Sequence, residues 1–125
     1  MIIGIGADFI DLKRIKGLFD KYQNNFAKKI LSKSEMTLFK NKTYHQKISF
    51  LASSFSAKES FVKALGTGFS GIYPKDISLH KDKKGKPFLK SEVLKVRQLF
   101  HHLSITNTKK YTCLLYTSPS PRDTL

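Results

Sequence analysis

The 125-residue chain is predicted to be an α+β domain in which antiparallel strands pack against one long helix. Three observations carry this. The opening residues alternate with the period of a strand. The middle of the chain keeps helical spacing up to a stop at Gly66. The last third returns to short alternating runs separated by polar turns.

Ile2 to Ile10 reads as the first strand, with Ile3, Ile5, Ala7 and Phe9 on one face and Ile2, Gly4, Gly6, Asp8 and Ile10 on the other. The two glycines beside Asp8 open that face to close approach by another backbone or a ligand. Asp11 is placed to cap a helix carrying Leu12, Ile15, Leu18, Phe19 and Tyr22. Phe26, Ile30 and Leu31 mark a second short helix. Ser32 and Glu35 have capping-box spacing ahead of Met36, Leu38 and Phe39. Asn41 to Gln46 is polar and reads as a loop. The long helix then runs from about Lys47 to Leu65, with Gly66 just past its end. Thr67 to Pro74 is a glycine-rich loop. Ile77 to His80 and Pro87 to Lys90 read as strands around the turn Lys81 to Lys86. Ser91 caps a predicted helix with Val93, Leu94, Val96, Leu99 and Phe100. His102 to Thr106 is a strand, Asn107 to Lys110 a turn, and Tyr111 opens the returning strand.

The length fits one domain, and neither an internal repeat nor an interdomain linker is visible. No apolar run approaches the ~18 residues of a membrane span. The apolar start lacks a basic n-region, so a secretory signal is not expected. Cys113 is the single cysteine, which excludes an intrachain disulfide and fits a cytoplasmic protein. Lysine and arginine total 23 against 9 acids, a net charge of +14. Such a surplus points to a polyanionic partner: nucleic acid, an anionic membrane, an acidic protein or a phosphate-rich small molecule. A lysine-rich composition that only solvates the surface accounts for it equally.

Glu59 is the residue out of place. On the long helix Ile48, Leu51, Ala52, Phe55 and Val62 form one apolar stripe. At about 100° per residue Glu59 falls within roughly 20° of Ile48 and 40° of Phe55. A carboxylate there needs a cation. If the helix packs on the glycine face of the first strand, Asp8 and Glu59 converge, and two carboxylates with open positions suit Mg2+. Ion pairs with Lys58, Lys63 or Arg14 are the plainer alternative. Lys63, four residues after Glu59, either stabilises the helix or points at a phosphate. Gly66, Thr67, Gly68 and Gly71 make a loop whose amides can cradle phosphate, although a plain helix stop has the same composition. His101, His102 and Asn107 lack convincing metal spacing, and Ser104 and Thr106 have no matching base. Lys13, Arg14, Lys16, Lys21, Lys28, Lys29 and Lys33 form either a solvated face or a docking surface for an acidic partner.

Together these segments resemble the holo-[acyl-carrier-protein] synthases, the small phosphopantetheinyl transferases. The likeness runs from Met1 to about Tyr111 through GIGADFIDLKRI, ILSKSE, FLASSFSAKESFVKALGTGF, DKKGKPFL and HLSITNTKKY, and it lies in their order and spacing. The resemblance implies the small phosphopantetheinyl-transferase fold. It also implies transfer of 4'-phosphopantetheine from coenzyme A to a serine of apo-acyl carrier protein. Asp8 and Glu59 would hold Mg2+, and Lys63 would stabilise charge on the phosphates. Gly66, Thr67, Gly68 and Thr106 would border the coenzyme. Arg14, with Lys13 and Lys16, would receive the acidic carrier protein. A homotrimer with sites between subunits is implied as well. For the base that activates the serine, a metal-bound water or a nearby carboxylate is open, with Glu35 a weak candidate.

The chain departs from the family pattern at three places. Ser54 stands where arginine is usual, Asn107 where histidine is usual, and the final strand past Tyr111 gives way to YTSPSPRDTL, which has two prolines and no periodicity. Cys113 to Asp123 resembles a translated sequencing adaptor. The domain is therefore drawn over residues 1–112, with 113–125 a non-native tail and the last strand cut short. Two rival classes remain: a basic nucleic-acid-binding module without catalysis, and an inactive family member. The first leaves Asp8 and Glu59 unexplained, because anions oppose phosphate binding. No nucleic-acid motif is present, and neither nucleic acid nor membrane is expected as a partner.

Overall fold

The computed structural model describes residues 2–91 and 101–119. The chain runs β1 (Ile2–Asp11), α1 (Leu12–Tyr22), α2 (Asn24–Ile30), α3 (Lys33–Phe39), α4 (Tyr44–Leu65), a 3-10 turn (Pro74–Asp76), β2 (Ile77–Lys81), β3 (Pro87–Ser91), β4 (His102–Asn107) and β5 (Tyr111–Pro119). The helix predicted after Ser91 lies outside the described residues. The α+β class holds: β1, β5 and β4 form an antiparallel sheet in that order, β2 and β3 form a separate hairpin, and α4 packs on the sheet.

Local chemistry accounts for the boundaries. The Asp11 carboxylate accepts from the Lys13 amide at 2.9 Å and caps α1. Ser32 and Glu35 form the predicted capping box at the start of α3. A second capping box, Thr43 with Gln46, starts α4 at Tyr44 rather than Lys47, so part of the expected loop is helix. The polar side chains that made Asn41 to Gln46 read as loop are there to satisfy the first amides of α4. Gly66 closes α4 at φ 77°, the left-handed turn that favours glycine.

α4 serves two cores. Its N-terminal half buries Ile48, Leu51 and Ala52 against Ile15, Phe19, Ile30 and Phe39 of α1, α2 and α3. Its C-terminal half buries Ala57, Phe61 and Val62 against Ile77, Leu103, Leu114 and Tyr116. The buried direction rotates around the helix between these halves, so the single stripe predicted from Ile48 to Val62 is two stripes. Glu59 consequently sits on their border and is half-buried, not in mid-core.

The glycine face of β1 turns inward, as its composition predicts. A Cβ on Gly6 would lie 1.7 Å from the Ser60 carbonyl oxygen, and one on Gly4 2.4 Å from that of Ala64. The apolar face turns outward, leaving Ile5 and Phe9 about 60% and 63% exposed beside Tyr111 and Leu115. Phe9 and Tyr111 stack at 4.7 Å.

β5 differs from its prediction. It runs to Pro119 as the central strand, pairing β1 from Asp11↔Tyr111 to Ile2↔Pro119 and β4 from Asn107↔Thr112 to His102↔Thr117. Thr112, Leu114 and Tyr116 point into the core while Tyr111, Cys113 and Leu115 point out. The described strand therefore reaches past residue 112, into the segment read as a tail. His101 ties the hairpin to this sheet, accepting from the Leu89 amide at 2.9 Å and stacking on Tyr116. Among the described residues no helix is long and apolar enough to cross a membrane.

Candidate active site

β1 and α4 together place the acidic pair. Asp8 projects from the glycine face of β1, and its side chain is 13% exposed. Lys63 Nζ reaches Asp8 Oδ1 at 3.1 Å and the Ala7 carbonyl at 3.2 Å. The Ser56 hydroxyl donates to Asp8 Oδ2 at 3.1 Å. Glu59 lies between Ser56 and Lys63 along α4. Its pKa is raised above the ordinary carboxylate range, first by burial and then by the negative charge of Asp8, while Lys63 and Arg14 act in the opposite direction. The two acids predicted to converge therefore do so, and Arg14 of α1 contributes to the field around them.

The donor set fits a divalent cation. Two carboxylates near enough to repel leave an excess of negative charge that the Lys63 ammonium offsets from the Asp8 side. No group of three or more His, Cys, Asp or Glu forms a metal cluster among the described residues. Two protein oxygens, with the remaining positions left to water and substrate phosphate, is the coordination Mg2+ favours.

The ion pairs foreseen as the plainer alternative are half realised. Asp8 pairs with Lys63, but Lys58 turns the other way. It is fully buried, with Nζ 2.5 Å from Glu35 Oε1 and 2.5 Å from the Ile30 carbonyl. Burial lowers its pKa, and Glu35 draws it back up. Glu35 also accepts from the Ser32 amide, the Leu79 amide and the Ser54 hydroxyl. With no exposure and every oxygen engaged, Glu35 cannot serve as the base for a substrate hydroxyl. Ser54, the residue in the usual arginine position, is likewise buried, and its hydroxyl completes the Glu35 shell.

The glycine loop differs from the cradle envisaged. The amide of Gly66 donates to the Lys63 carbonyl, and those of Thr67 and Gly68 both donate to Val62, so all three close the helix end. Space around Gly66 and Gly68 is nonetheless open. Asn107 lines a separate cavity of about 900 Å³ with Lys42, His45, Ser53 and Lys81. Its Oδ1 accepts from Ser53 at 3.3 Å and from Thr112 at 2.8 Å. Thr106 lies opposite Cys113 in the sheet register, is exposed, and does not line this cavity. Within one chain the acidic pair and this basic cavity are distinct.

Lys13, Arg14, Lys16 and Lys21 are exposed on α1, as are Lys28, Lys29 and Lys33 beyond it. Lys28, Lys29 and Lys75 border a second hollow of about 770 Å³ whose floor includes Tyr22, Phe55 and Tyr73. Sequence reasoning missed Ser56 and the Lys58–Glu35 pair. Ser56 had a usable signal: it precedes Glu59 by three and Lys63 by seven, which puts all three on neighbouring parts of one face.

Comparison with known proteins supplies the family. Residues 4–115 match the 4'-phosphopantetheinyl transferase superfamily. The chain is 42% identical over 112 residues to the holo-[acyl-carrier-protein] synthase of Bacillus subtilis, covering 89% of this chain and 90% of that one. With that of Halothermothrix orenii it shares 39% identity over 121 residues, covering 89% and 92%. Its structure superposes on a Bacillus anthracis holo-(acyl-carrier-protein) synthase in complex with CoA (3',5'-ADP). That match has TM-score 0.83 and 34% identity, covering 96% of this chain and 99% of the other. The Neisseria meningitidis holo-[acyl-carrier-protein] synthase gives TM-score 0.85 at 30% identity, covering 96% and 100%. The family match over residues 4–115, with relatives about 40% identical across 89% of the chain, places this protein in the 4'-phosphopantetheinyl transferase superfamily, among its holo-[acyl-carrier-protein] synthases.

Proposed function

We propose that the protein transfers 4'-phosphopantetheine from coenzyme A to a serine of an apo-acyl carrier protein, with Mg2+ held by Asp8 and Glu59. The observation that carries the reading is the convergence of these two acids with Lys63 where β1 packs on α4. In the reaction the serine oxygen bonds to the phosphorus that bears pantetheine. The pyrophosphate bridge to that phosphorus breaks, and adenosine 3',5'-bisphosphate leaves. Mg2+, when bound, neutralises the pyrophosphate and orients it. Lys63 adds positive charge beside the developing phosphate charge. Gly66, Thr67 and Gly68 border the coenzyme by leaving room rather than by donating amides. The serine's proton passes to a base other than Glu35, whose buried oxygens are all engaged.

The basic surface of α1, with Lys13, Arg14 and Lys16, suits the acidic carrier protein and speeds encounter in a salt-dependent way. The apolar outer face of the sheet suits a subunit contact. A homotrimer would set the Asn107 cavity of one copy beside the Asp8–Glu59 site of another, so that one coenzyme spans both; Thr106 on the outer face then also comes within its reach. A cytoplasmic location goes with these substrates.

The test is direct. Protein, coenzyme A, Mg2+ and an apo-acyl carrier protein are mixed, and the carrier is weighed by mass spectrometry. Appearance of the pantetheine mass, with loss of about 10²-fold or more in rate for Glu59→Gln, is expected. No transfer by the folded protein defeats the enzyme reading, and tight binding of RNA or DNA in its place supports the binding-module alternative.

A further inference from the structure

Ser56 occupies the contact between the two elements that carry the acids. It is fully buried on α4, and with Ser60 and Ala64 it forms a run of small residues at four-residue spacing against β1. Packing explains why these residues are small, since β1 comes so near that Gly4 and Gly6 have no room for a Cβ. Closeness of packing does not by itself call for the Ser56 hydroxyl, because alanine is smaller still. A helical serine can also return its proton to the carbonyl four residues back. Ser56 instead donates across the interface to Asp8 Oδ2. Its neighbour Ser60 shows the contrast: that hydroxyl is buried at the same interface and finds no partner among the described residues.

The two oxygens of Asp8 are therefore unlike. Oδ2 is held by a buried hydroxyl on a rigid helix. Oδ1 is held by the ammonium of Lys63, a flexible side chain that is half exposed. We infer that Ser56 is a positioning residue that reserves Asp8 Oδ1 as the metal-binding oxygen, with Lys63 as the cation that gives way. A divalent cation arriving at Oδ1 displaces Lys63 towards the phosphates, while the Ser56 bond keeps the carboxylate from rotating and from engaging through both oxygens. This rests on the proposed metal role of Asp8. Outer-shell hydrogen bonds of this kind commonly tune metal affinity.

The test measures Mn2+ binding to the protein alone by electron paramagnetic resonance, with no coenzyme present. Wild type, Ser56→Ala, Ser56→Cys and Asp8→Asn are compared, each with a metal-free melting curve. Ser56→Ala should weaken Mn2+ binding about tenfold while its melting temperature stays close to wild type. Ser56→Cys, a weaker donor of similar size, should fall between them. In transfer assays the Mg2+ concentration for half activity should rise in Ser56→Ala, with kcat recovered at saturating Mg2+. Equal Mn2+ affinity in wild type and Ser56→Ala, with Asp8→Asn weakened, overturns the role of Ser56 and leaves the metal site standing. A lowered melting temperature with unchanged Mn2+ affinity also overturns it, by making Ser56 purely structural. Mn2+ binding that is absent from wild type, or unaltered in Asp8→Asn, defeats the metal role of Asp8 and this inference together.

Discussion

Two adjacent residues on α4, Lys58 and Glu59, stand in different surroundings: Lys58 is fully buried against Glu35, and Glu59 is half-buried beside Asp8. Glu59 is held above the ordinary carboxylate range mainly by burial. A carboxyl whose pKa is higher folded than unfolded keeps its proton longer in the native state, so stability falls as pH rises from the unfolded pKa through the folded one. Glu59→Gln should therefore raise the melting temperature of the metal-free protein at neutral pH. The advantage should vanish once the pH falls below the ordinary carboxylate range, where both forms are neutral. Added Mg2+ should raise the melting temperature of wild type and not of the variant. Scanning calorimetry across pH, with and without Mg2+, checks all three. Lys58 obeys the opposite logic. Lys58→Met leaves Glu35 buried without its cation and should cost about 3–5 kcal/mol, whereas Lys58→Met with Glu35→Leu should recover much of the loss. Urea titrations of the single and double variants measure this. Sequence alone marked Glu59, which is half-buried, as the charge out of place on α4, and did not find that Lys58 beside it is fully buried. A helical projection assumes one buried direction, and the partner of Lys58, Glu35, lies 23 residues away.

At the scale of elements, the β1–α4 contact is the feature that places the site. Gly6→Ala would drive a methyl into the Ser60 carbonyl, which is backbone and cannot swing aside. The strand must lift off the helix, so the variant should lose at least about 1–3 kcal/mol of stability. It should also lose transfer activity beyond what its folded fraction explains. A circular-dichroism melt beside the mass assay separates the two effects. This contact was legible beforehand from the glycines flanking Asp8, because few other reasons place two glycines on one strand face. The start of α4 was not, since a capping box and a polar loop are written with the same residues. Nor was the course of β5, whose inward residues Thr112, Leu114 and Tyr116 alternate weakly against apolar outward ones, Tyr111, Cys113 and Leu115.

For the whole molecule, the outward apolar face and the final strand carry the predictions. Phe9→Ser with Leu115→Ser should convert the proposed trimer to monomers in analytical ultracentrifugation. It should also abolish transfer, because the acidic pair and the Asn107 cavity would no longer meet. The monomer should keep its helical circular-dichroism signal, since neither side chain lies in a core cluster. The family match stops at residue 115, while β5 continues to Pro119. Exchanging residues 113–125 for the final strand of a family member should raise the melting temperature if that segment is non-native. Equal melting temperatures would show that the strand as written already completes the sheet. The α+β class and the order of elements were readable from periodicity; which strands pair across the sheet was not, because that depends on contacts far apart in the chain.

The backbone contact at Gly6 has one more consequence. Two carboxylates on elements kept apart by a layer of side chains would shift whenever those side chains changed rotamer. Here main chain rests on main chain, so the spacing of Asp8 and Glu59 works like a machined stop. Drift elsewhere in the sequence can repack either core without altering that gap.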